Sequence, residues 1–270
     1  MKDISPGALC GAVLTGGLLA VALLGAVWTP FDPMALNFAA RLAAPDAVHW
    51  LGTDEFGRDV LSRLFAGATT SVWISFVTVA LAVSAGTLIG VISGYFRGWT
   101  DRVLMMLNDA LLAFPGILLA LGLLAIFGAN QYGIVLALGL GYTPTVVRIV
   151  RGTVLSLRER EFIEASRVMG NSDTYTMLRH ILPNCIAPLT VLATSMFGWV
   201  LLAESALSFL GLGVPPPEPT WGNMLASGRP FISQAVWLAI FPGLCISFTL
   251  LGVNLLGDAL RDRLDPRMRR

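Results

Sequence analysis

Residues 161–184 read EFIEASRVMGNSDTYTMLRHILPN, a polar segment within a strongly apolar chain. Of the 270 residues, 55% are hydrophobic and 13% are charged, and the mean hydropathy is +0.73. Soluble globular domains carry about 25% charged residues, so this composition is typical of a membrane protein. Charge-free runs before and after the segment reach the ~20 residues that a helix needs to cross a bilayer. The polar segment is therefore predicted to lie outside the membrane, between two membrane helices.

Charged and turn-forming residues divide the apolar runs into six predicted transmembrane helices. Such helices satisfy their own backbone polar groups, as a bilayer requires. The first run is expected to be a retained anchor helix, since its end, AVWTPFDP, lacks the small-x-small pattern of a signal-peptide cleavage site. We therefore predict an all-α membrane protein. The six spans cover about 8–28, 72–95, 104–127, 133–150, 187–210 and 233–256.

The distribution of arginine and lysine predicts the orientation, because cytoplasmic loops retain these residues. With the N-terminus inside, 14 of the 18 Lys and Arg residues lie on the cytoplasmic side, whereas the opposite orientation would leave 4 there. We therefore expect both ends of the chain, and residues 161–184, in the cytoplasm. Residues 29–68 and 211–232 then lie outside. Four tryptophans are expected near the outer interface: Trp28, Trp50, Trp73 and Trp221.

The first part of the polar segment is predicted to be a short amphipathic helix. Residues 157–169 are rich in helix formers, with Phe162, Ala165, Ser166 and Met169 on one face. Small side chains on that face would let another protein approach closely. The connection between helices four and five has roughly 36 residues, and loops of that length tend to have a function. The pattern therefore favours docking over a plain solvated connection.

A glycine turn and a second short helix are predicted to follow. Gly170 suits the left-handed conformation that ends many helices, because glycine adopts it at the least cost. Ser172 or Asp173 can cap the second helix, which we expect to end at Pro183. A DNA-binding helix-turn-helix has a similar outline. However, the segment is tethered to the bilayer at both ends and is nearly balanced in charge, which excludes nucleic acid as the expected partner.

The sequence also limits the source of energy for any transport. A P-loop needs a lysine after GxxxxG to reach the nucleotide phosphates, and Lys2 is the single lysine of the chain. An ion-coupled carrier would have ionisable groups within its membrane helices, and the candidates here are Asp109 and Glu204. We interpret both first as structural carboxylates. His49, His180 and the three cysteines show no metal-ligand spacing. The simplest source of energy is a separate ATPase on the cytoplasmic side of the membrane.

The polar segment resembles the EAA motif of bacterial ABC importer permeases. The usual pattern is EAA, three residues, G, nine residues and I-x-LP, and this chain has Glu164-Ala165-Ser166, Gly170 and a final LP that ends at Pro183. Two departures are visible: serine replaces the second alanine, and His180 occupies the isoleucine position. Serine is still a small residue, so the resemblance holds at the helix face.

Four longer stretches are similar to the second permease subunit of dipeptide, oligopeptide and nickel importers, and they occur in the same order. Together they run from His49 towards the C-terminus, and only the first helix and the segment after it match weakly. On this basis we divide the chain into an anchor helix with an outer segment, 1–68, and a permease core with five membrane helices, 69–270. The stretches are HWLGTDEFGRDVLSRLFAGA, SLREREFIEASRVMG, LSFLGLGVPPPEPTWGNML and NLLGDALRDRLDPR.

The resemblance implies a permease subunit in the bacterial inner membrane that is not itself an enzyme. Its partners would be a homologous second permease, two ATPase subunits, membrane lipid and an outer substrate-binding protein that meets the two outer segments. ATP and Mg²⁺ would bind to the ATPases, and this chain would hold no cofactor or metal. ATP binding would close the ATPases, draw the coupling helices together and turn the permease pair outward.

The resemblance also implies roles for particular residues. The coupling helix between helices four and five would use Glu164, Ala165, Ser166, Met169 and Gly170, with Pro183 after it. Helices three to six would line the substrate path. The candidates for that path are Asp109 and Glu204.

The alternatives differ in substrate and in class. Peptides are the expected substrate, because the chain has no His, Cys and Met cluster suited to a metal. Nickel or a nickel chelate is the alternative substrate, since its importers share the same motifs. A passive channel or a membrane scaffold is the alternative class, although neither would need the polar segment. An intramembrane enzyme would need convergent nucleophile, base or metal ligands within its helices, and none is visible.

Overall fold

The structure, a computed structural model, describes residues 6–264, and the long elements in that range are helices. We number ten α-helices in chain order. Two short 3₁₀ turns, Phe38–Ala40 and Arg229–Phe231, and one π turn, Met177–Ile181, accompany them. The helices are α1 Pro6–Val27, α2 Val60–Phe96, α3 Gly98–Leu112, α4 Gly116–Phe127, α5 Gln131–Arg158, α6 Glu161–Val168, α7 Asp173–Thr176, α8 Leu182–Phe209, α9 Trp221–Gly228 and α10 Trp237–Leu264.

Five helical runs are long and apolar enough to cross a membrane: α1, α2, α5, the run from α7 through α8, and α10. The predicted third span, 104–127, is not one helix. It is divided into α3 and α4, which meet at an angle of 96° and make a sixth span if they are counted together. Pro115 explains the break, because proline lacks a backbone N–H and disfavours helical geometry at Phe114 before it.

Helix α2 begins twelve residues before the predicted second span and has 37 residues. The Asp59 side chain caps it by accepting a hydrogen bond from the Ser62 backbone N–H at 2.8 Å. At 1.5 Å per residue the helix is about 55 Å long, well beyond a hydrocarbon core of about 30 Å. The proposed division at residue 68 falls inside this helix and stays a prediction. Among the basic residues used for the orientation, Lys2, Arg267, Arg269 and Arg270 lie outside the described range.

The central contact of the bundle joins α2 to α5 along a stripe of glycines, which we call the glycine seam. A Cβ atom added at any of these glycines would lie 2.5 to 2.8 Å from a valine Cβ atom on α5. That distance is shorter than van der Waals contact, so the close approach of the helices requires glycine. The paired residues are Gly86 with Val146, Gly90 with Val150, and Gly94 with Val154.

The glycine seam shows that α2 and α5 run in the same direction. Both sequences advance by four residues from one pair to the next, and the Trp73 ring of α2 meets the Tyr132 ring at the start of α5, with centroids 5.7 Å apart. The chain must therefore return from the end of α2 to the start of α5. The bent α3–α4 pair makes this return. Asp101 of α3 binds Arg151 near the end of α5, and Gly128 after α4 packs its carbonyl oxygen against Gly133 near the start of α5.

Other helices surround this pair. Helix α1 crosses α2 and α10, and Gly11 lies close to the α10 backbone at Leu256. Trp221 at the start of α9 is a core residue with 2% exposure, so its predicted interfacial position is wrong. Its indole N–H donates to the Leu64 carbonyl oxygen, and its backbone N–H donates to Ser71 Oγ. These bonds satisfy both donors, which lets the ring pack inside the bundle.

The glycine seam can be tested with Gly90→Ala. In an ordinary helix alanine is more stable than glycine by about 0.5–1 kcal/mol, but here the added methyl group would meet Val150. We expect a lower melting temperature of the purified complex in detergent. Gly16→Ala on α1, where an added Cβ has no neighbour within 4 Å, is the matched control and should leave the melting temperature unchanged or raise it. Equal behaviour of the two variants would contradict the glycine seam.

Candidate functional site

Residues 159–176 form a compact unit at the end of α5, which we call the polar hairpin. Helix α6 ends in a turn in which Gly170 has a φ angle of +76°, in the region that favours glycine. The Asn171 backbone N–H donates to the Ser166 carbonyl oxygen at 3.2 Å, which closes the turn. Ser172 then caps α7 by accepting from the Tyr175 N–H. The polar hairpin thus consists of two short helices around a glycine turn.

The limits of the predicted helix pair need two corrections. Helix α5 extends to Arg158, so the predicted helix 157–169 is divided between α5 and α6, and the connection outside the long helices is shorter than expected. The second helix does not end at Pro183. Instead, α7 continues through the π turn into α8, where Leu182 N–H donates to the Met177 carbonyl oxygen. Pro183 lies in the first turn of α8, where its missing N–H is tolerated.

The inner side of the polar hairpin is held by a small polar cluster. Ser166 is 2% exposed, and its hydroxyl lies 3.0 Å from the Thr176 hydroxyl and accepts from Asn171 Nδ2 at 3.2 Å. Ile163 beside it is fully buried. The predicted face of Phe162, Ala165, Ser166 and Met169 is therefore divided, because Ser166 points towards α7. Its small size lets α6 and α7 pack together.

The outer side of the polar hairpin presents apolar side chains to the surroundings. Val168 and Met169, at the tip, are 83% and 80% exposed, and Phe162 is 43% exposed. Ala165 and Glu164 are exposed beside them. Exposed apolar groups that are contiguous and rimmed by charge mark protein interaction sites. The sequence pattern identified Phe162, Ala165 and Met169 but missed Val168.

Tyr95 joins the polar hairpin to the C-terminal end of α2. The Tyr95 hydroxyl donates to Asp173 Oδ1 at 2.6 Å, and the Arg167 guanidinium lies 5.1 Å from the centre of the Tyr95 ring. Arg158 donates to the Tyr95 carbonyl oxygen at 2.7 Å. The hairpin is therefore attached to α2 as well as to its own helix, α5. No pattern in the sequence indicates this role, since Tyr95 lies 78 positions from Asp173.

The two carboxylates predicted for the substrate path lie in different surroundings. Asp109 on α3 is exposed and forms an ion pair with Arg148 on α5 at 2.8 Å. Glu204 on α8 is fully buried, and its Oε1 atom accepts from Thr220 at 2.8 Å and from Ser208 at 3.0 Å. In this conformation Glu204 has no exposed surface with which to touch a substrate. It instead binds the start of α9 to α8.

The segment before α2 is a folded unit that rests on a buried charge network. The Asp54 carboxylate accepts from Arg58 Nε at 2.6 Å and lies 3.4 Å from Arg63 Nε, and all three side chains are buried. His49 Nδ1 lies 3.0 Å from Asp59 Oδ1. Burial raises the pKa of Glu55 beside this network. Within residues 6–264, no group of three His, Cys, Asp or Glu side chains is placed to hold a metal ion.

These features define the class of protein: a multi-pass helical membrane protein with a polar hairpin at one end of its central helix pair. Residues 86–270 match the family model described as "Binding-protein-dependent transport system inner membrane component". The chain belongs to this family, so it is an inner-membrane permease component of an ABC transport system.

Relatives match nearly the whole chain. A peptide transport system permease protein of Brucella suis is 43% identical over 256 residues, which are 93% of this chain and 86% of that protein. The dipeptide transport system permease protein DppC of Alkalihalophilus pseudofirmus is 41% identical over 97% of this chain and 86% of its own length. The glutathione transport system permease protein GsiD of Pectobacterium atrosepticum is 40% identical over 93% and 84%, respectively.

A solved structure has the same fold. The crystal structure described as that of an amino acid ABC transporter with histidines covers 77% of this chain and 94% of its own, with a TM-score of 0.51 and 17% sequence identity. At that identity the likeness concerns the fold alone. The resemblance to the peptide and nickel branch of ABC permeases is confirmed by the family match and by the names of the relatives.

The attachment of the polar hairpin can be tested with Tyr95→Phe. The variant loses one hydrogen bond, which contributes about 1 kcal/mol, so we expect amide hydrogen exchange in the polar hairpin to accelerate by about fivefold. Tyr175→Phe, in the hairpin itself and half-exposed, is the matched control and should leave exchange unchanged. If Tyr95→Phe and Asp173→Asn act additively in the double variant, the proposed bond does not hold the hairpin.

Proposed function

We propose that this chain is the transmembrane permease subunit of an ATP-driven importer of di- or oligopeptides. The observation that carries the proposal is the exposed apolar tip of the polar hairpin, held at the inner end of the central helix pair. The names of the relatives support the substrate class, since peptides, dipeptides and glutathione are all peptides. No observation favours nickel, a passive channel or a scaffold over this function.

We place six crossings in the membrane, with both ends of the chain and the polar hairpin in the cytoplasm. The parallel arrangement of α2 and α5 supports this topology, because α3 and α4 together must carry the chain back between their ends. Arg97, Arg158 and Arg167 gather at the hairpin end of the bundle, as cytoplasmic basic residues should.

The polar hairpin is the proposed docking site for an ATPase subunit. Phe162, Ala165, Val168 and Met169 would enter an apolar groove of that subunit, and Glu164 would pair with a basic group at its rim. Gly170 forms the turn and Ser166 holds α6 against α7, so these two residues position the docking face. Pro183 belongs to the start of α8 and lies outside the hairpin.

The remaining parts of the machine are proposed from the family. A homologous second permease would lie beside this chain, two ATPases would bind ATP and Mg²⁺, and an outer binding protein would meet residues 29–59 and 211–232. ATP binding would close the ATPases and draw the polar hairpin towards that of the second permease. Because the hairpin is bonded to both α2 and α5, that movement would turn the two helices together and open the path outward.

Docking can be tested with Ala165→Trp. A bulky ring on the docking face would hold the ATPase away, so peptide-stimulated ATP hydrolysis by the reconstituted complex should fall by at least tenfold. Gly170→Asp should act in the same way, since aspartate strains the turn. Both variants should still insert into the membrane. Ala12→Trp, on the exposed side of α1, is the matched control and should retain stimulated hydrolysis. Normal coupling in Ala165→Trp would refute the docking role.

The orientation can be tested by labelling single cysteines in a background without Cys10, Cys185 and Cys245. Met169→Cys at the hairpin tip should react with a membrane-impermeant maleimide only when the reagent reaches the cytoplasmic face. Glu218→Cys, exposed in the segment before α9, should react only from the outside. Labelling of both positions from one side would rule out the proposed topology.

A further inference from the structure

Two ion pairs join α3 to α5, and they differ in exposure. Asp101 and Arg151 form a bidentate pair with distances of 2.6 and 2.7 Å, and Ser93 also donates to Asp101. These side chains are largely shielded, at 18% and 30% exposure. Asp109 and Arg148 form a single contact at 2.8 Å and are 61% and 62% exposed. The first pair therefore fixes the helices, whereas the second leaves most of its hydrogen-bonding capacity free.

The exposed ion pair lies within the thickness of the membrane. Tyr132 contacts Trp73 at the outer end of the central helix pair, where aromatic residues mark the interface. Arg148 follows Tyr132 by sixteen residues on α5, a rise of about 24 Å along the helix, and the hydrocarbon core is about 30 Å thick. Charged side chains exposed to lipid at this depth are unfavourable, so they face a water-filled cavity or another protein.

Between Gly141 and Gly152, the face of α5 that carries Arg148 is small and polar. At 100° per residue, Gly141, Thr145, Arg148 and Gly152 fall on one side of the helix, opposite the valines of the glycine seam. A Cβ atom added at Gly141 or Gly152 would have no heavy atom within 4 Å. This side is therefore open and carries no bulky apolar side chain. We call the four residues the open face of α5.

We infer that the open face of α5 is a wall of the substrate path and that the Arg148–Asp109 pair contacts the charged termini of the passing peptide. The inference rests on the proposed function, because it takes a zwitterionic peptide as the substrate. The Arg148 guanidinium suits the terminal carboxylate, which it can bind with two parallel hydrogen bonds. The Asp109 carboxylate suits the terminal ammonium group. Each of the two side chains would then release the other and bind the opposite charge on the peptide.

Thiol labelling tests whether the open face meets water and peptide. In the cysteine-free background, Thr145→Cys should react with a small hydrophilic thiol reagent in the assembled complex, and peptide with its binding protein and ATP should slow that reaction by at least fivefold. Leu88→Cys is the matched control, because the glycine seam places Leu88 level with Arg148 on an exposed, apolar side of α2. It should react slowly, and peptide should have no effect.

A kinetic test separates the two ion pairs. Arg148→Gln should raise the KM for peptide uptake by about tenfold with kcat within about twofold, since one charge-assisted contact is lost. Arg151→Gln should lower the melting temperature of the complex and leave KM unchanged. Asp109→Asn is likewise expected to raise the KM, and Asp101→Asn to lower the melting temperature and leave the KM unchanged.

The outcomes distinguish this inference from the proposed function. If the unmodified complex takes up peptide but Thr145→Cys stays unreactive, or reacts without protection by peptide, the open face is covered by protein or lies off the path, and the inference is overturned. An unchanged KM in Arg148→Gln overturns it as well. If the unmodified complex takes up no peptide at all, the proposed function itself fails.

Discussion

The rest of the structure depends on the close contact between the glycines of α2 and the valines of α5. In a bilayer, helices gain little by burying apolar surface against each other, because lipid tails are equally apolar, and association depends on close packing. Three glycines one turn apart let the α2 backbone approach α5 over about two turns. Because the two helices are parallel, this single contact also requires a return crossing. The bent α3–α4 pair supplies it, and both ion pairs of α3 bind to α5.

The end of the bundle opposite the polar hairpin is fixed by a different kind of contact. Trp221 and Thr220 bring the start of α9 against α2 and α8 through buried hydrogen bonds to Ser71, Leu64 and Glu204. Buried polar groups are stable only when they are hydrogen-bonded, so these bonds specify one arrangement of α9. Gly222 permits it, because a Cβ atom there would lie 2.7 Å from Glu204 Oε2. The segment after α8 is thus a fixed part of the bundle.

Composition and charge were sufficient to predict a helical membrane protein, and the predicted family is confirmed. The errors arose where local rules were applied without tertiary context. Pro183 normally ends a helix, but the π turn before it accommodates the ring. The predicted third span includes Pro115, which breaks it into two helices. Trp221 suits an interface by composition, yet its partners on α2 bury it.

Some features of the site were readable in the sequence and others were not. The spacing of Gly86, Gly90 and Gly94 is a GxxxGxxxG pattern, which predicts close helix packing but does not name the partner. The contact of Tyr95 with Asp173 joins positions far apart in the chain, and no periodicity within one helix reveals such a pair. Ser166 was assigned to the predicted face of the first helix from its spacing in the sequence alone. Its burial follows from the position of α7, which is decided by tertiary contacts.

The attachment of the polar hairpin to two parallel helices has a mechanical consequence in the proposed cycle. A hairpin joined to α5 alone could tilt at its connection without moving the bundle. Here Asp173 of the hairpin accepts a hydrogen bond from Tyr95 of α2, and Arg158 at the end of α5 binds Tyr95 as well. The glycine seam also prevents α2 and α5 from separating. A pull on the hairpin therefore moves the helix pair as one body. The α3–α4 bend at Pro115 lies outside the glycine seam. It is the point at which the adjoining segment of the chain can bend to accommodate that movement.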